Sequence, residues 1–142
     1  MARASGVWTL GLALAAVTWL GCSAEPGVAK PEAPPAPAMP AGWEVTTDMS
    51  FPANEVRRVG RNLGGELVSL RNTVFEVNGK RVQLNIMEAA DEAAANRIML
   101  RLRDMKPADV VLKKGVVLYE LVGADDAVAE MRAGRAHLEG GA

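Results

Sequence analysis

Asn78-Gly79 stands between two β-rich runs in LVSLRNTVFEVNGKRVQLNIM, and no other feature of the chain constrains its fold so tightly. A two-residue type I′ turn needs positive φ at both central positions. Asn and Gly tolerate that best, and the turn then fixes the register of the strands on either side. Val77 is set against Lys80, Phe75 against Val82 and Thr73 against Leu84, so Phe75, Val77, Val82, Leu84 and Ile86 share the core side. Glu76 falls opposite Arg81 on the other, solvated side, as a cross-strand ion pair.

Around the hairpin the apolar spacing changes from two to three and four. Trp43 and Val45 open the domain as a short strand or packed arm. Pro52 suits the first turn of a helix that carries Val56, Val59 and Leu63 on one face and stops at Gly64-Gly65. A second helix is predicted from Asp91, its cap, to Met105, with Ala94, Ile98, Leu102 and Met105 buried and Pro107 ending it. The run ADVVLKKGVVLYELVG gives either one long strand or a second hairpin turning at Lys113 to Gly115. A last helix turns Val128, Met131 and Leu138 inward, with Asp125 and Asp126 at its start, where the helix dipole favours acids. The elements predict an α+β two-layer sandwich, a small antiparallel sheet with helices on one face. A shift of 35 residues aligns Val82, Ala89, Asp91, Ala94 and Arg97 with Val117, Ala124, Asp126, Ala129 and Arg132, the trace a duplicated ββα unit would leave.

The N-terminal third is not built to fold. Val7 to Leu20 is an uncharged apolar run after the lone charge of Arg3, shorter than the roughly 20 residues a spanning helix needs. Cys22, the only cysteine, follows, and then the Pro/Ala-rich AEPGVAKPEAPPAPAMPAG. Residues 1–21 therefore read as an export signal, 22–42 as a tether starting at Cys22, and 43–142 as one small α+β domain. Polyproline II geometry would let the tether hold the domain roughly 60 Å from its anchor.

The four residues Trp19-Leu20-Gly21-Cys22 resemble the lipobox of bacterial lipoproteins, with Trp19 where that family usually has Leu. The resemblance implies that Cys22 is the lipidation site and the mature N-terminus, joining the protein to the membrane through a lipid anchor. Two or three acyl chains together hold stably where one does not. Ser23, in the position where an Asp favours retention in the inner membrane, implies the periplasmic side of the outer membrane. A second similarity covers RVQLNIMEAADEAAANRIMLRLRDM, which resembles the opening of peptidoglycan-binding sporulation-related repeat domains. It departs from them at Asn85, Ile86 and Met87, and no binding residue carries across.

Several chemistries are disfavoured. A net charge of −1 with dispersed basic residues argues against nucleic acid. One cysteine allows no intrachain disulfide and no cysteine-based zinc site. His137, the only histidine, lies in the last turn of a terminal helix, where nothing would orient it as a base. VGRNLGG has neither nucleotide-loop spacing, and no metal or cofactor motif is found. Glu66, Glu76, Glu88 and Glu120 lie in or beside strand runs, where charge marks the exposed side. Arg57, Arg58 and Arg61 form a basic patch off the apolar face of the first helix, facing solvent or an anionic partner. The reading is a non-enzymatic, membrane-anchored envelope lipoprotein whose domain binds another envelope component, a protein rather than cell-wall glycan. The alternatives are a small-ligand carrier or sensor, and a hydrolase using strand-borne carboxylates.

Overall fold

The structure, a computed structural model, describes residues 32–107 and 110–140. Five strands and three helices follow in the order β1 (Glu44–Ser50), α1 (Ala53–Leu63), β2 (Leu67–Val77), β3 (Lys80–Ala89), α2 (Glu92–Met105), β4 (Val111–Lys114), β5 (Val117–Gly123) and α3 (Val128–Gly140). A short 3-10 turn, Asp125–Ala127, leads into α3. The strands form one open antiparallel sheet in the order β1-β2-β3-β5-β4, an α+β architecture.

The hairpin has the expected register. Asn78 and Gly79 take φ of 52° and 73°, and Val77, Phe75 and Thr73 oppose Lys80, Val82 and Leu84. Glu76 opposes Arg81, although the two do not close to ion-pair distance. The open question at Lys113 to Gly115 is answered by a second hairpin, β4 to β5, turning at Gly115 with φ +60°.

Directly opposed residues of antiparallel strands point to the same side. Phe75, Val82, Leu84, Leu121, Ile86 and Tyr119 therefore line one face, while Leu70, Met87, Leu118, Asn72, Asn85 and Glu120 line the other. The cover is divided between these faces. Both ends of α2 are tied to the Asn85 face, Glu92 to Lys113 at 2.8 Å and the capping Lys106 to Glu120 at 3.6 Å. Helix α1 packs beside α2, with Arg97 Nε donating to Gly64 O at 3.1 Å. Helix α3 lies on the Phe75 face, where Met131 meets Gly123 and Glu130 pairs with Lys80 at 3.0 Å. Helices on a single face were expected. Leu70, Met87 and Leu118 are as fully buried as Leu84 and Ile86, and strands apolar on both sides need cover on both.

The 35-residue shift carries β3 and α2 onto β5 and α3, so the element order does recur. The helices nevertheless lie on opposite faces. A two-fold axis that exchanges the adjacent antiparallel strands β3 and β5 would keep them on one.

Local signals in the helices are met with two exceptions. Asp91 caps α2 by accepting from Ala94 N at 2.7 Å, and Val56, Val59 and Leu63 are the buried stripe of α1. Met105, expected inside, is 40% exposed in the last turn of α2, and Ala95 and Met99 are buried instead. Val128 is only half-buried, while Met131 and Leu138 enter the core.

Candidate functional site

Strand β1 is the least protected element of the domain. Six of its seven residues are exposed, including Val45 and Met49, and among the described residues no strand pairs with its outer edge. A bare edge offers unpaired N–H and C=O groups to another chain. Proteins usually blunt such edges with lysine, proline or a bulge. EVTTDMS has neither lysine nor proline, and its single irregularity lies between Val45 and Thr47, where Thr46 Oγ1 donates to Val74 O at 3.2 Å.

The inner side of β1 is held firmly. Arg71 makes a bidentate bond to Asp48, Nε to Oδ1 at 2.8 Å and Nη2 to Oδ2 at 2.9 Å, and Thr73 Oγ1 donates to Oδ1 at 3.0 Å. The bond from Arg71 holds the Asp48 carboxyl below its ordinary value, against the opposing effect of burial, and Asp48 in turn raises Arg71. Arg71 Nη1 also reaches the carbonyl oxygens of Ala33 and Pro34.

Those two residues begin a segment that sequence reading gave to the tether. Residues 33–42 instead pack on the domain: Ala33 is buried, Ala36 and Met39 lie against the core, and His137 Nε2 is 2.9 Å from Ala38 O. Trp43 then meets Phe75 edge-on, with ring centroids 5.4 Å apart. High proline content masked this packing, and Met39 and Trp43 were the apolar signals that could have found it.

On the opposite face, a polar row crosses three strands. Asn85 Oδ1 accepts from Asn72 Nδ2 at 2.7 Å and from Gln83 Nε2 at 3.2 Å, while Asn85 Nδ2 donates to Glu120 Oε2 at 3.0 Å. Glu120 was expected to mark an exposed side, yet it is 8% exposed. A carboxylate can be buried there because Asn85 and Lys106 both serve it. The other glutamates do not converge on it. Glu88 accepts from Ser69 Oγ on the Phe75 face, and Glu66 and Glu76 are exposed.

The remaining candidates are dispersed. Arg57, Arg58 and Arg61 are exposed on α1, with Arg58 bonded to Glu55. Cys22 and the signal segment lie outside the described residues. Between the hairpin tip and the end of β5 is a cavity of about 360 Å³ lined by Lys80, Arg81, Gln83, Val122 and Asp126. Lys80 Nζ donates at its rim to Asp126 O at 2.7 Å and to Glu130 Oε1, which holds the Glu130 carboxyl below its ordinary value. Among the described residues no cluster could hold a metal ion, and no helix is long and apolar enough to cross a membrane. No family model, curated protein or solved structure matches the chain.

Proposed function

We propose that the chain is a bacterial envelope lipoprotein, anchored through lipid on Cys22 at the periplasmic side of the outer membrane, whose α+β domain binds another envelope protein. The observation that carries the reading is the open outer edge of β1. A partner strand added there would gain main-chain hydrogen bonds from a template already fixed on its inner side by Asp48 and Arg71. Glycan binding is the weaker choice, because sugars stack on open aromatic faces. Phe51 and Phe75 are buried, and Trp43 and Tyr119 pack against the core.

A small-ligand carrier is the second reading, favoured by the cavity beside Lys80 and Arg81, whose volume falls at the lower end of ordinary ligand sites, about 300–1,000 Å³. Capture experiments test the first reading. Full-length protein, incubated with purified sacculi and separately with solubilised envelope extract, should retain a specific protein from the extract, and Val45→Lys with Met49→Lys should abolish the retention. Binding to sacculi alone, or retention that ignores both substitutions, would overturn the edge-pairing reading.

A further inference from the structure

Residues 33–43 cover the part of the Phe75 face that α3 leaves open. Pro34, Pro35, Pro37 and Pro40 have no N–H to donate, so the segment cannot join the sheet as a strand. Among the described residues its one backbone–backbone hydrogen bond is internal, from Trp43 N to Pro40 O at 3.2 Å. Domain side chains hold the rest: Arg71 Nη1 at 3.4 Å from Ala33 O and 3.2 Å from Pro34 O, and His137 Nε2 at 2.9 Å from Ala38 O. The other hold is steric. The indole of Trp43 lies against the bare Cα of Gly134 in α3, where a Cβ would come 2.5 Å from Cη2 and 3.0 Å from Cζ2, so only glycine admits the ring.

We infer that residues 33–43 are a separable strap, which leaves the Phe75 face as a unit and opens an apolar groove between α3 and the β1–β2 edge while the sheet stays intact. Detachment breaks side-chain contacts at the two ends and middle of the strap and no rung of the sheet ladder. The β2–β3–β5 pairing beneath it does not depend on the strap's backbone. If Cys22 carries the anchor, the strap is also the first of the described segments to bear a pull from the membrane, and Arg71 is a point of load. Separability itself does not depend on the anchor or on β1 binding a partner.

The test uses the full chain with Trp8→Phe and Trp19→Phe, leaving Trp43 as sole reporter. Gly134→Val should raise acrylamide quenching of Trp43 several-fold and shift its emission to the red, while β2 and β3 amides keep their protection against exchange. Arg71→Ala, which releases the Ala33 end, should raise the same quenching with β2–β3 protection unchanged, because the strap leaves as a unit. If Gly134→Val does not fold, Arg71→Ala decides alone on the same readout. The proposal is overturned if Trp43 quenching rises only together with loss of sheet protection, or if it is the same in the variants as in the parent.

Discussion

Asn72 and Asn85 face each other across β2 and β3, amide to carbonyl at 2.7 Å, on a face otherwise filled by Leu70, Met87 and Leu118. Asn85 is the hub, serving Asn72, Gln83 and Glu120 at once. Asn85→Ala should therefore lower stability by about 2–4 kcal/mol, because it leaves the buried Asn72 amide without its partner and the buried Glu120 carboxylate to Lys106 alone. Asn72→Ala, which breaks one bond of the row, should cost about 1–2 kcal/mol. Denaturant midpoints at constant m-value read both, and equal losses would mean that Asn85 is not the hub.

At the hairpin, Gly79→Val should cost about 1–3 kcal/mol, since a β-branched residue resists the φ of +73°. Gly79→Asn, whose side chain tolerates positive φ and meets open space there, should cost much less and is the proper control. Lys80 cannot serve as one, because its ammonium binds Glu130 and the carbonyl of Asp126. A loss on Gly79→Asn as large as that on Gly79→Val would rule out the turn as the cause.

Acid should weaken the domain through Asp48 and Glu130, both held below their ordinary values by hydrogen bonds from Arg71 and Lys80. A depressed carboxyl stabilises the fold above its unfolded value, about 4, and the gain is lost as pH falls through its lower folded value. Asp48 is over a third exposed, so its share is reduced by solvent. Unfolding midpoints should fall between pH 5 and pH 3, and Asp48→Asn should flatten part of that fall. An identical profile in the variant would assign the acid response elsewhere.

Cys22→Ser tests the anchor. In a bacterial host the parent chain should incorporate labelled palmitate and partition into detergent, and the variant should do neither. Equal labelling of the two would end the lipoprotein reading.

What sequence could reveal follows the range of each interaction. The turn at Asn78-Gly79 is local, and its register alone sets Asn72 against Asn85. The burial of that pair was not legible, because it depends on α1 and α2 covering the face opposite α3. Glu120 enters the row only when β5 pairs with β3, a contact 35 residues distant. The strap escaped notice for a different reason. Its composition is that of a spacer, and the features that dock it, Arg71, Gly134 and His137, come from β2 and α3.

Partner binding through β1 is tested most directly by a photo-crosslinking amino acid at Thr47, in the middle of the strand, in the full-length chain expressed in bacteria. The account predicts a discrete adduct with one envelope protein that disappears when Val45→Lys and Met49→Lys are added. No adduct at Thr47, or an adduct that survives both substitutions, would contradict it.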